Sequence, residues 1–259
     1  MLDAEEIERF VADGVVAVRG AVPPELVTAG RAALWRDVTP ASGAVPADPA
    51  TWTVPVVRLG GYSAAPFREA ATRPVLLETF DQLVGPGRWR TPAGLGTWPV
   101  RFPSPDPPGD DGWHLEASFS GAAGEQRVSL RSHGRALLLL FLFSDVGPDD
   151  APTRLRLGSH LDVPPLLADA GDDGREWFDL CGDAVPASAG RAETVATGRA
   201  GDVFLCHPFL VHAAQPHRGS EPRFMAQPPL VPVGELDPDA AAPSPVARAV
   251  RAALRPRHG

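Results

Sequence analysis

The sequence contains no lysine, so all 24 of its basic side chains are arginine. Alanine, proline and glycine are abundant beside that absence, which reads as a coding bias and carries no functional message. Cysteine is nearly missing too. Cys181 and Cys206 are too few for a disulfide framework and too far apart for a thiolate zinc site, so both are expected as reduced, buried thiols. No apolar run reaches the roughly 18 residues that a membrane span needs. The first ten residues are acidic and lack the basic-then-apolar order of a secretory leader. A soluble, cytoplasmic protein is therefore expected. Positive charge is also in deficit: 24 basic against 32 acidic residues leave a formal net charge of −8. A field of that sign repels phosphate backbones and anionic lipid, which argues against nucleic acid or a membrane as partner. Oligomeric state is left open by the sequence. With no internal repeat and no obvious linker, residues 1–259 read as one domain.

What is present points to short elements joined by many turns. Thirty prolines and 26 glycines are spread along the chain, and 44% hydrophobic content is enough for a sizeable core. The expected class is β-rich α+β. A helix is predicted from Asp3 to about Val15, with Asp3 as cap and Gly14 as stop, then a brief strand over 14–21. A second helix starts at Pro23-Pro24-Glu25 and runs toward Trp35. Residues 39–68 read as loop with one strand at Trp52 to Leu59, and Pro74 to Leu83 as a further helix. Strands are expected to dominate from Arg88 onward. The run ALLLLFLF at 136–143 fits a strand buried on both faces. Residues 166–194 read as an insertion with a helix around Trp177 to Leu180. The tail, 231–259, ends in a helical stretch, Val246 to Leu254, expected on the surface.

Chemistry concentrates in three places. In His114-Leu115-Glu116, strand alternation would turn the imidazole and the carboxylate to one face, where both can reach a single ion. In GDVFLCHPFLVH, residues 201–212, a strand is expected to end in His207 and His212, whose five-residue separation puts them on opposite faces. His212 is preferred as the third ligand by its spacing to Arg223, and His207 is read as core or supporting. Two imidazoles and one carboxylate occupy one face of an octahedral ion and leave room for a chelating co-substrate and dioxygen. A structural zinc site would need a fourth ligand. Arg223, preferred over Arg218 in the turn-like PHRGS, could clamp a distant carboxylate in bidentate fashion. A lone His-x-Glu would by itself more often be a solvated strand face, and it is the three elements in order that favour a metal. His160 reads as structural, Trp113 as core, and His133, His217 and His258 carry no signal.

These stretches resemble the phytanoyl-CoA dioxygenase family. The resemblance lies in LDAEEIERFVADGVVAVRGAVPPELV at the start, in DDAPTRLRLGSH at 149–160, and in GDVFLCHPFLVHAAQPHRGSEPR at 201–223. It implies a double-stranded β-helix, a cupin-like jelly roll, over about 88–230, with a helical segment at about 1–84 before it. It further implies iron(II) held by His114, Glu116 and His212, and 2-oxoglutarate held through Arg223, with dioxygen as oxidant and a small molecule hydroxylated at a C–H bond. Thr97 and Arg131, on strands expected to line the same barrel, are candidates for co-substrate or substrate contact. Two departures stand out. Glu116 replaces the family's more frequent Asp, and Ala214 stands where a hydroxyl often helps hold the co-substrate. A metal-binding jelly roll without oxidation, or a zinc hydrolase or isomerase on the same ligands, are the competing readings.

Overall fold

Asp3 starts the first helix as its sequence requires. In the computed structural model, which describes residues 1–255, its carboxylate accepts from the Glu6 N–H at 2.8 Å while the Glu6 carboxylate accepts from the Asp3 N–H at 2.9 Å. This reciprocal pair caps the helix Ala4–Asp13. Gly14 ends it at φ 81°, where a side chain is both strained and obstructed: an added Cβ would lie 2.5 Å from His160 Nδ1.

The chain then enters a five-stranded sheet. Val15–Val18 pairs with Val203–Cys206, which pairs with Leu137–Leu142, and the latter also carries Met225–Ala226 and Pro229–Leu230. Leu137–Leu142 is buried along its whole length because each face of the sheet has its own core. Leu137, Leu139 and Phe141 pack with Phe67, Trp98 and Phe102, whereas Leu138, Leu140 and Leu142 pack with Leu155, Cys206 and Met225. Alternation is therefore invisible in the sequence, as a doubly covered strand demands.

Smaller antiparallel ladders surround it: Val56–Leu59 with Trp98–Arg101; His212–Ala213 with Arg154–Arg156 and Glu193–Val195; and Phe119–Ser120 with Gln126–Val128 and Arg175–Glu176. The architecture is thus mixed α and β, with several antiparallel sheets and flanking helices. Among the described residues, no helix is long and apolar enough to cross a membrane.

Three expectations need correction. The second helix runs Pro24–Ser42, past Trp35 and through Pro40, because Leu34 and Val38 are buried on its core side and Gly43 supplies the left-handed stop. The loop expected at 39–68 gives way at its end to a helix, Ala65–Ala71, whose Phe67, Ala70 and Ala71 are fully buried. Two turns are too short for helical periodicity to show against a Pro- and Ala-rich background. The C-terminal helix Pro245–Leu254 is not a surface appendage: Val246, Ala247, Ala249 and Val250 are buried, and it lies against the helices Ala4–Asp13, Pro74–Val84 and Pro164–Leu167. Small residues on that stripe allow the close approach. His258 falls outside the described residues.

Candidate metal centre

The loop 103–112 delivers the chain to Trp113, whose ring lies under two guanidiniums, Arg156 at 4.1 Å and Arg154 at 4.7 Å from its centroid. Arg154 also donates to the Asp111 carbonyl at 2.8 Å. Trp113 is thus partly exposed beneath cations as well as packed against the core. The next residue is tied across the sheet edge: His114 N–H donates to His212 O at 2.9 Å, and His212 N–H donates to His114 O at 2.8 Å. Residues directly opposite in an antiparallel bridge send their side chains to the same face, and the two imidazole centroids are 4.5 Å apart.

Each ring is oriented by its own backbone. His114 Nδ1 lies 2.9 Å from Gly112 O, and His212 Nδ1 lies 2.9 Å from Leu210 O. A carbonyl can only accept, so Nδ1 carries the hydrogen and the Nε2 lone pair is left for a metal. Glu116 completes the set, its Oε1 3.4 Å from His212 Nε2 and its Oε2 3.1 Å from Arg135 Nη2. Ligand atoms of His114, Glu116 and His212 all lie within 4.8 Å of one another. Leu115, between two of them, points the other way and is buried with Phe209, Val211 and Val250. The expected alternation holds, although a single bridge, not a regular ladder, supports it.

Electrostatics favours the ligating forms. Burial by itself would raise the Glu116 pKa, but the adjacent His212 and the Arg135 charge overcome it and hold the carboxyl at about 2. Burial, helped by His212, keeps His114 below its ordinary value. At neutral pH the carboxylate is charged and the His114 imidazole neutral, as a divalent cation requires.

The remaining sequence candidates separate. His207 and His212 do not end one strand: Val203–Cys206 stops before His207, and the chain turns before His212–Ala213 begins a different ladder. His207 is fully engaged in the core, its Nε2 3.2 Å from Val246 O and its Nδ1 accepting from the Phe209 N–H. His160 stacks beside it at 4.7 Å, with burial pushing its pKa down to about 4. Arg218 is exposed, just before a bend. Arg223 is 1% exposed, donating to the carbonyls of Ala151 and Pro99. Thr97 is exposed, and its carbonyl accepts from Gln227 N–H at 2.9 Å. Arg131 is committed to Glu235 at 3.2 Å and Asp237 at 3.5 Å. Neither of these two shares a hydrogen bond or ion pair with the His–Glu–His group among the described residues. Sequence reasoning missed Arg135 and Arg101. Arg135 does flank the long apolar run, but nothing local says that it meets Glu116.

A family model described as phytanoyl-CoA dioxygenase matches residues 10–225, a span that contains all three ligand candidates and Arg223. The chain belongs to the phytanoyl-CoA dioxygenase family. It is accordingly an oxidoreductase of the iron- and 2-oxoglutarate-dependent type. No curated protein matches the sequence. Solved structures similar to this family member share its fold at low identity. HygX from Streptomyces hygroscopicus, with nickel and 2-oxoglutarate bound, is 20% identical with TM-score 0.57, covering 88% of this chain and 86% of that one. The non-heme α-ketoglutarate-dependent carbocyclase SnoK from nogalamycin biosynthesis is 19% identical with TM-score 0.53, covering 91% and 85%. The epimerase SnoN, in complex with Fe3+, α-ketoglutarate and nogalamycin RO, is 22% identical with TM-score 0.57, covering 86% and 80%.

Proposed function

We propose that this family member oxidises a small organic molecule at a C–H bond, with His114, Glu116 and His212 as the ligands of iron(II) and Arg223 as a contact of the far carboxylate of 2-oxoglutarate. The observation that carries the reading is the convergence of two freed Nε2 lone pairs and one carboxylate oxygen within 4.8 Å. That donor set fits a divalent ion: three such ligands take one face of an octahedron and leave its other positions without protein ligands. The antiparallel sheets are read as a jelly-roll core, and the described chain as one domain working in the cytoplasm, where Cys181 and Cys206 stay as free thiols.

Bound there, iron(II) with 2-oxoglutarate supplies oxidation by dioxygen, releasing succinate and carbon dioxide. The protein's own residues do the positioning. The paired backbones of His114 and His212 hold the imidazoles on one face, the Gly112 and Leu210 carbonyls set their tautomers, and Arg135 holds one oxygen of the Glu116 carboxylate. Retention of Glu116 speaks against halogenation, because that chemistry needs the carboxylate's coordination position. A small molecule is the substrate class, in keeping with similar structures that hold hygromycin B or a nogalamycin compound. A macromolecular polyanion is disfavoured by the net charge of −8.

The test is incubation with iron(II), ascorbate and 2-oxoglutarate. Succinate forms slowly even without the natural substrate, and His212→Ala abolishes it. Turnover with zinc in place of iron, and none with iron, would instead identify a hydrolase or isomerase. Metal binding with no succinate under any condition would leave a binding protein.

A further inference from the structure

Arg101 and Arg223 come from separate segments, yet they face each other. Arg101 N–H donates to Arg223 O at 3.1 Å and Arg223 N–H donates to Arg101 O at 2.8 Å, an antiparallel bridge of the same kind that pairs His114 with His212. Side chains directly opposite in such a bridge share a face, with Cβ atoms about 5 Å apart, and like charges placed there repel. Both guanidiniums are also buried, Arg101 at 3% and Arg223 at 1% exposure. Burial of two adjacent cations is costly unless anions accompany them.

One carboxylate does so. Asp110 Oδ2 lies 2.7 Å from Arg101 Nη2 and is shared with the exposed Arg58. Among the described residues Arg223 makes no ion pair: its Nη1 and Nη2 donate to neutral carbonyls, and Asp110 reaches it only through its field. Burial accordingly pushes its pKa well down. The Nε of Arg101 and the Nε of Arg223 are both buried without a hydrogen-bond partner. The pair thus holds two positive charges, one negative charge and two unused N–H donors. A second anion with oxygen acceptors is missing from the balance.

We propose that Arg101 is a second guanidinium for 2-oxoglutarate, gripping the distal carboxylate together with Arg223. This rests on the oxygenase reading above and deepens it: the co-substrate site is a paired clamp, and Arg101 is one of its binding residues. Asp110 supports it by engaging Nη2 of Arg101 and leaving Nε to the guest. Asp110 also lies four residues before His114, so the clamp and the ligand-bearing segment are joined by a short piece of chain. The arrangement selects for dicarboxylates, since a 2-oxo acid without the far carboxylate leaves both cations uncompensated. The second guanidinium also compensates for Ala214, whose methyl group offers the co-substrate no hydrogen bond.

The experiment is calorimetric titration of the Ni(II)-loaded full chain with 2-oxoglutarate and with 2-oxobutyrate, which keeps the chelating end and lacks the distal carboxylate. Arg101→Gln is expected to weaken 2-oxoglutarate binding about tenfold or more while changing 2-oxobutyrate binding less than about twofold, with Arg101→Lys falling between. If Arg101→Gln binds 2-oxoglutarate as the wild type does, while Arg223→Gln does not, the paired clamp is wrong and the oxygenase reading stands. If the wild type itself shows no preference between the two acids, the reading beneath it fails as well. Should Arg101→Gln not fold, a crystal of the wild-type Ni(II) and 2-oxoglutarate complex decides: the distal carboxylate within hydrogen-bonding distance of both guanidiniums supports the proposal, and contact with Arg223 alone overturns it.

Discussion

Arg135 takes one oxygen of Glu116 and leaves the other facing the His212 imidazole. Its Nη2 is 3.1 Å from Oε2, while Oε1 lies 3.4 Å from His212 Nε2. Glutamate is one methylene longer than the family's frequent aspartate and has more freedom to present both oxygens or to swing away. A guanidinium on the outer oxygen restrains that freedom and leaves Oε1 facing His212. Arg135 is itself anchored through Nε to the Ala117 carbonyl at 3.2 Å.

Removal of this support should therefore appear in metal affinity. Arg135→Met is expected to weaken Fe(II) or Co(II) binding by about 10- to 100-fold, as outer-shell partners of ligating groups do, with Arg135→Lys partly restoring it. The check is a metal titration of the folded variants. Unchanged affinity in Arg135→Met would remove Arg135 from the site's machinery.

The His160 and His207 pair makes the fold sensitive to acid. Burial lowers His160 from the usual 6.5 to about 4. The unfolded chain then binds a proton more readily than the native one, so stability is whole above pH 6.5 and is lost as pH falls through 6.5 toward 4. The loss from this group amounts to about 3 kcal/mol on full protonation. Urea midpoints measured across that window should fall steeply in the wild type and less steeply in His160→Gln, which keeps a donor for the Val11 carbonyl. Parallel slopes in the two proteins would contradict this account.

Leu140 is fully buried on the central strand, in the cluster with Leu155 and Met225. Leu140→Ala removes that packing and leaves a cavity in a sheet covered on both sides, at an expected cost of about 2–5 kcal/mol. Chemical denaturation of the metal-free protein reads this directly. A cost below about 1 kcal/mol, close to the scale of surface substitutions, would show that the site collapses or was never packed.

Trp113 bridges the fold to the site. Two guanidiniums lie over its ring and the next residue is His114. Trp113→Leu should lower stability by about 1–2 kcal/mol, because the cations then have no aromatic face to rest on, and it should also weaken metal binding. Trp113→Phe should retain most of both. Melting curves with and without Co(II) separate the two effects. Equal behaviour of the Leu and Phe variants would rule out the ring's face as the source.

Much of the local structure is legible in the sequence. The capping pair at Asp3 and Glu6 and the stop at Gly14 are short-range events written in four to ten consecutive residues. The apolar run at 136–143 announces a strand with two covered faces. His114, Glu116 and His212 are legible as a group because the donor chemistry is restrictive and their order along the chain is informative. The helix Ala65–Ala71 and the full length of Pro24–Ser42 are not legible, since their stability comes from burial against distant side chains and not from periodicity or propensity. The C-terminal helix misleads for the same reason: an Arg-bearing sequence looks superficial until its Val and Ala stripe is seen to be covered.

By itself, then, the sequence determined which segments could cap, turn, extend or ligate, because those properties depend on near neighbours and on side-chain chemistry. Tertiary structure alone decided the partners: His114 opposite His212, Arg101 opposite Arg223, and Arg135 against Glu116. The two backbone bridges are set by the register of antiparallel segments far apart along the chain, and register follows from how whole faces pack, which no local pattern encodes.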